Sequence, residues 1–175
     1  NSPTGKIGYV AAMQIPEVIR GINAFTLGAR SVNPNATVTV KWTNTWFDVT
    51  IEKATALELI NSGCDLIAQH ADSTAPQIAA EEKGVKAIGY NSSTPDAAPT
   101  AYLTAPLFHW DVFYKNDVES IMNGTWQPKS YWGGLKDGMV SLDTLTSNNV
   151  AGTQEAVDAA KAKIEDGSLV IFSGE

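Results

Sequence analysis

Cysteine, histidine and basic side chains are scarce in this chain of 175 residues. Its one cysteine, Cys64, leaves no internal disulfide, and His70 and His109 lie far apart, without the spacing of zinc ligands. The chain has 12 Lys and Arg against 19 Asp and Glu, a net charge of -7. Phosphate recognition depends on clustered cations, so this balance argues against a nucleic-acid partner.

Long apolar runs are also missing, because none approaches the roughly 20 residues of a membrane-spanning helix. The composition, with 43% hydrophobic and 18% charged residues, is nevertheless too apolar for a disordered chain. The length fits one domain, or one lobe with part of another. The chain begins at Asn1 without a leader sequence and stops directly after an apolar stretch, so we expect a piece of a longer protein.

The first half alternates predicted strands with predicted helices. Pro16 suits a first helical turn, Asp48 suits a helix cap, and Gly63 and Gly84 suit helix ends. Helices of this length between strands imply right-handed crossovers. The pattern therefore predicts an α/β fold, a Rossmann-like (flavodoxin-like) parallel sheet with helices on both faces. Its four strands are predicted at 6–12, 37–42, 64–68 and 85–90, and its helices at 16–29, 48–63 and 75–83.

The second half is less regular. Residues 91–99 are rich in Ser, Pro and Asp and predict a loop or hinge. A helix is predicted at about 108–122 and another at 154–164. Short strands are predicted at 138–142 and 169–172.

In an open parallel sheet, ligands bind beyond the carboxyl ends of the strands, so the residues that follow each strand are the candidate site. These residues are mostly amides, hydroxyls and aromatic rings, which suit the recognition of a neutral polar ligand. Many of them are also ordinary cap and turn residues, and packing of Trp46 under the next helix is the alternative to a ligand contact. The candidates taken from these positions are Met13, Trp46, Gln69, His70, Asp72 and Asn91.

Signals of catalysis are weak. The chain contains neither a nucleophile elbow nor a phosphate loop, and Gly133-Gly134 is not followed by a long helix. His70 and Asp72 have the spacing of an acid and base pair, which supports an enzyme only weakly. The sequence thus predicts a protein without catalytic activity, cofactor or bound metal.

Four segments resemble the basic membrane protein family, the substrate-binding lipoproteins of ABC transporters that include the purine nucleoside receptors of bacteria. They are Ile15-Pro16-Glu17-Val18-Ile19-Arg20-Gly21-Ile22-Asn23-Ala24-Phe25, Trp46-Phe47-Asp48, Ala68-Gln69-His70-Ala71-Asp72-Ser73, and Tyr131-Trp132-Gly133-Gly134-Leu135-Lys136-Asp137-Gly138. The resemblance extends over nearly the whole chain. It implies one lobe of a two-lobed type I periplasmic binding protein. Residues 1–105 would form the second lobe, and residues 106–175 would cross the hinge. The helix at about 108–123 would run toward a first lobe that this chain lacks.

The resemblance also implies a ligand and partners. Nucleoside-binding relatives hold the ribose with an acidic residue and a lysine, at positions that correspond here to Asn91 and Phe108. A free nucleobase, or another flat polar ring, is therefore expected rather than a nucleoside. Phe108 and Trp132 join the candidate site on this basis. The implied protein is periplasmic or at the cell surface, carries a lipid anchor, and delivers its ligand to a membrane permease. It is also expected to self-associate through the surface that the missing lobe leaves exposed. The alternatives are a ligand-sensing domain of a transcription regulator or signalling receptor, and a nucleoside-processing enzyme.

Overall fold

The computed structural model describes residues 1–171, which alternate strands and helices through the first hundred positions. The strands are β1 (Lys6–Ala11), β2 (Thr37–Trp42), β3 (Leu66–His70), β4 (Lys86–Ile88), β5 (Tyr102–Thr104), β6 (Pro106–Phe108) and β7 (Val140–Leu142). The helices are α1 (Pro16–Val32), α2 (Val49–Asn61), α3 (Ala75–Lys83), α4 (Trp110–Met122) and α5 (Thr153–Glu165), with a 3-10 turn at Pro95–Ala97.

Five strands form one parallel sheet in the order β2-β1-β3-β4-β5. This is the flavodoxin-like order, and the predicted α/β fold is confirmed. The chain reverses its direction of winding between β1 and β3, which makes the carboxyl end of that strand pair the topological switch point, where open sheets of this kind bind ligands.

Two apolar layers cover the two faces of the sheet. α2 and α3 pack on one face around Val10, Leu59 and Ile67, whereas α1 packs on the other around Tyr9 and Ile22. All five residues of β3 are buried, as expected for a central parallel strand. Gly8 permits the close approach of α2, because a Cβ there would lie 2.9 Å from that of Leu59.

Local signals explain where the helices begin and end. Pro16 opens α1, and the Asp48 carboxylate accepts hydrogen bonds from the backbone N–H groups of Thr50 and Ile51, each at 2.9 Å, which caps α2. Gly84 ends α3 in the left-handed conformation, with φ of 68°. These three sequence predictions are confirmed.

Several strand boundaries differ from the predictions. β3 begins at Leu66, two residues after the predicted start at Cys64. Gly63, with φ of 98°, still belongs to the turn that ends α2, and the Cys64 N–H donates a hydrogen bond to the carbonyl of Leu59. β4 ends at Ile88 rather than at residue 90. β5 was not predicted, because a buried strand of three residues has too little alternation to recognise. Residues 169–171 form no strand, and Phe172, the last residue of that predicted strand, lies outside the described residues.

The segment from Asp143 to Asn149 runs along the outer edge of β5. The N–H groups of Asp143 and Thr146 donate to the carbonyls of Ala105 and Leu103, at 2.8 and 3.0 Å. The Asn149 side chain donates to the Leu103 carbonyl at 2.9 Å. Backbone groups on this edge of the sheet are therefore satisfied by an irregular segment.

β6 pairs antiparallel with β7, and the two strands lead into and out of the region of α4. No residue of α4 is buried, and its aromatic side chains cluster at the surface, with the Trp110 ring stacked on that of Tyr114 at 6.2 Å. Within residues 1–171, no helix is both long enough and apolar enough to cross a membrane.

Candidate functional site

Aromatic rings from four separate segments line up at the carboxyl edge of the sheet. The ring centroids of Trp46 and His70 are 6.3 Å apart, those of His70 and Tyr90 are 4.1 Å apart at an interplanar angle of 30°, and those of Tyr90 and Phe108 are 5.7 Å apart and edge-on. We call these four residues the aromatic row. It begins beyond β2, passes the end of β3, and reaches the end of β6, so it spans the topological switch point.

His70 occupies the centre of the row because it is the last residue of β3 and faces α1. Its ring lies against Gly21, where a Cβ would stand 3.4 Å from Nδ1, so the helix can approach the ring closely. Nε2 of His70 and the Tyr90 hydroxyl form a hydrogen bond of 2.6 Å, and either tautomer of the ring satisfies it. This bond fixes the orientation of both rings.

Burial dominates the electrostatics of this pair. It lowers the pKa of His70 even though the neighbouring carboxylates of Glu17 and Asp72 act in the opposite direction. Glu17, at the start of α1, places Oε1 3.7 Å from Nε2. Burial also raises the pKa of Tyr90, with Glu17 adding to the effect. The pair is therefore neutral near pH 7, and the hydrogen bond between the two rings joins uncharged groups.

Trp46 contributes the exposed end of the row. Its side chain is 39% exposed, and its carbonyl accepts a hydrogen bond of 3.0 Å from the N–H of Asp72. This bond ties the loop after β2 to the loop after β3. The Asp72 side chain itself is exposed to solvent beside the row.

Three of the predicted site residues have backbone or packing contacts elsewhere. The buried Gln69 amide faces α2 and α3 and donates to the carbonyls of Ala71 and Ser73, at 2.9 and 2.8 Å, so it shapes the turn that follows β3. Met13 packs against the core on that same face. Asn91 is exposed and has a left-handed backbone, with φ of 63°. Its N–H donates a hydrogen bond to the Pro106 carbonyl, so its backbone connects the end of β4 to the start of β6.

Trp132 lies apart from the aromatic row. Its side chain is 81% exposed, and the Arg20 guanidinium lies 5.2 Å from the ring centroid in a cation–π contact. Arg20 is one turn along α1 from Glu17, so Trp132 flanks the helix that carries the edge of the site without touching His70.

Tyr90 and Glu17 are site residues that the sequence did not reveal. Tyr90 was the last residue of a predicted strand, and a glutamate in the first turn of a helix, such as Glu17, is ordinarily explained by the helix dipole. The alternation of β4 could have indicated that Tyr90 shares a face with Ile88 and hence with α1.

The site offers flat apolar faces and hydrogen-bonding groups. In residues 1–171, no three His, Cys, Asp or Glu side chains converge as the ligands of a metal would. Cys64 is buried near the opposite end of β3, and burial raises the pKa of its thiol. The arrangement is suited to holding a planar polar molecule by stacking and hydrogen bonds.

This combination of a flavodoxin-like sheet and a candidate site at the switch point is typical of a solute-binding α/β lobe. The sequence profile of the Bmp family, described as PnrA-like ABC transporter substrate-binding proteins, matches residues 1–171. The chain belongs to this family, as its sequence motifs predicted.

Two curated relatives resemble the chain along nearly its whole length. A protein of Haloferax volcanii named as an ABC transporter glucose-binding protein is 42% identical over 96% of this chain and 43% of its own. A protein of Brucella abortus named as a purine-binding protein is 39% identical over 99% of this chain and 49% of its own. The chain therefore spans about half the length of these relatives.

Solved structures share the fold. An ABC transporter solute-binding protein from Conexibacter woesei matches 95% of this chain and 56% of its own, with a TM-score of 0.78 at 22% identity. A transcriptional activator of the comK gene from Bacillus halodurans matches 96% of this chain and 59% of its own, with a TM-score of 0.81 at 22% identity. These likenesses establish the fold.

Proposed function

We propose that this chain is one lobe of the solute-binding component of an ABC importer, and that it holds a flat purine-like ring against the aromatic row. The observation that carries the proposal is the row itself, which places Trp46, His70, Tyr90 and Phe108 side by side at the topological switch point. Aromatic faces stack on a heterocycle. The Trp46 ring offers such a face at the exposed end of the row, and the hydrogen bond between His70 and Tyr90 holds the middle of the row in place.

A free nucleobase is favoured over a nucleoside. The position at which the resembling nucleoside receptors carry an acidic residue for the ribose is the neutral Asn91, and the position of their lysine is Phe108. Asn91 lies at a turn with a left-handed backbone, and Phe108 adds a ring to the row, edge-on to that of Tyr90. Neither side chain offers the charged groups that would hold two ribose hydroxyls.

A sugar is the second candidate, because the relative from Haloferax volcanii is named for glucose binding. Aromatic faces also pack against the C–H face of a pyranose. Sugar sites, however, need many hydrogen-bonding groups for the ring hydroxyls, and the row presents more apolar surface than polar atoms. The relative named for purine binding agrees better with this surface.

The proposed ligand site is completed by a second lobe. The apolar surface of α4, including Trp110, Tyr114 and Val118, is left exposed and suits packing against such a lobe. The full-length protein is then extracytoplasmic, lipid-anchored and docked to a membrane permease, with transport rather than catalysis as its role. A ligand-sensing regulator is the weaker alternative, which rests on a transcriptional activator of Bacillus subtilis that is 28% identical.

Calorimetric titration tests this proposal on the 175-residue chain and on the full-length protein. Adenine and guanine should bind, their nucleosides should bind more weakly, and glucose should not bind. The full-length protein should bind at least tenfold more tightly, since a second lobe buries the other side of the ligand and each tenfold is about 1.4 kcal/mol. Binding of glucose alone would contradict the purine assignment, and equal affinity of the two proteins would contradict the second lobe.

A further inference from the structure

A buried carboxylate lies behind the site. Glu52, in the first turn of α2, is 0% exposed. Oε1 accepts a hydrogen bond of 3.0 Å from the Asp48 N–H. Oε2 accepts two hydrogen bonds from Ser73, one from its N–H at 3.2 Å and one from its hydroxyl at 2.6 Å. Burying a carboxylate is costly unless donors replace its water, and here three donors do so.

These donors belong to the two loops that form the floor of the site. Asp48 ends the loop that carries Trp46, and Ser73 belongs to the loop that follows His70 and contains Asp72. A fourth hydrogen bond, from the Asp72 N–H to the Trp46 carbonyl, joins the same loops directly. Glu52 therefore holds both loops through its two oxygens, one oxygen to each loop.

We propose that Glu52 is a positioning residue that fixes the Trp46 loop against the loop after His70, and so sets the stacking geometry of the ligand site. The ligand part of this inference rests on the proposed function. The joining of the two loops is a property of the protein alone and is measurable without any ligand.

The chemistry of the carboxylate is what this role requires. An ionised Glu accepts hydrogen bonds at both oxygens, whereas Gln accepts at one and donates at the other. In Glu52→Gln the amide oxygen can keep both bonds to Ser73, but the NH2 group then faces the Asp48 N–H, and two donors oppose each other. The Trp46 loop is thus released while the volume of the side chain is conserved.

The test compares Glu52→Gln with Glu58→Gln, the same substitution on α2 at an exposed residue that pairs with Lys41. Amide hydrogen exchange followed by mass spectrometry should show faster exchange in residues 43–48 and 71–74 of Glu52→Gln, with strands β1 and β3 unchanged. Adenine affinity, measured in the full-length protein, should fall about tenfold. Glu58→Gln should match the wild type in both measurements.

A double-mutant cycle separates positioning from general stability. If Glu52 acts through Trp46, then Glu52→Gln should change adenine affinity less than about twofold in a Trp46→Ala background. An undiminished effect in that background, or faster exchange spread evenly over the sheet, would overturn the inference.

Two further outcomes are informative. Should Glu52→Gln fail to fold, Ser73→Ala removes one of the three donors, and it should show the same exchange pattern at smaller size. Should wild-type protein bind no adenine, the proposed function fails, and exchange in the two loops still decides whether Glu52 holds them together.

Discussion

Replacing Trp46 with alanine is the sharpest test of the ligand site, because the structure makes the ligand-free and ligand-bound consequences different. The ring is 39% exposed, and an aromatic side chain buries about 150–250 Å² when covered, so about 60–100 Å² is available to a ligand. At about 25 cal/mol per Å², this area corresponds to roughly 1.5–2.5 kcal/mol, and stacking adds about 0.5–1.5 kcal/mol. Trp46→Ala should therefore weaken binding of adenine by about 30-fold or more.

The loss of stability should be smaller than for a core tryptophan, for which truncation costs about 3–5 kcal/mol. Chemical denaturation of the ligand-free variant measures this cost, and Trp126→Ala, at a residue that is 43% exposed outside the site, supplies the baseline for a tryptophan of similar exposure. Trp46→Phe should recover most of the affinity, because a planar ring is retained. A stability loss of the core size together with unchanged affinity would refute the assignment of Trp46 to the ligand.

The remaining predictions concern pH, specificity and association. Because burial lowers the pKa of His70 in the folded protein, the unfolded chain binds the proton more tightly, so the free energy of unfolding should decrease as pH falls below about 6.5. Denaturation of wild type and His70→Gln between pH 5 and 8 checks this, and the variant should show a shallower dependence. Asn91→Asp with Phe108→Lys should shift the preference from adenine toward adenosine, as measured by titration; an unchanged ratio would refute the ribose argument. The 175-residue chain should self-associate through α4, and Trp110→Ser with Tyr114→Ser should give a monomer by light scattering, whereas a wild-type monomer at high concentration would count against an interface there.

The parallel sheet was predictable because its signals are local. Apolar strands, Pro16, the Asp48 cap and Gly84 each act within a few residues, and together they specify the order of elements. The family motifs then restricted the sheet to one kind of lobe. β5 escaped prediction because its burial depends on packing against distant segments, which three residues cannot encode.

The site was only partly predictable, for a reason that lies in β3. This strand is buried on both faces, so its composition does not show which residues face α1 and which face α2 and α3. The sequence therefore did not distinguish Gln69 from His70 as candidate ligand contacts. In the structure Gln69 bonds the turn after β3, whereas His70 lies in the middle of the aromatic row. Glu52 was hidden for a related reason, because a glutamate in the first turn of a helix ordinarily indicates an exposed side chain near the dipole.

The irregular segment along β5 has a consequence for aggregation. A free strand edge offers unpaired N–H and C=O groups to other chains, but on the β5 side Asp143, Thr146 and Asn149 already occupy part of them. Among residues 1–171, no segment runs along the outer edge of β2 in this way, and Lys41 of this strand is a charged residue that pairs with Glu58 of α2. Growth of the sheet by addition of a foreign strand should therefore begin at β2, and removal of the Lys41 charge should accelerate fibril formation.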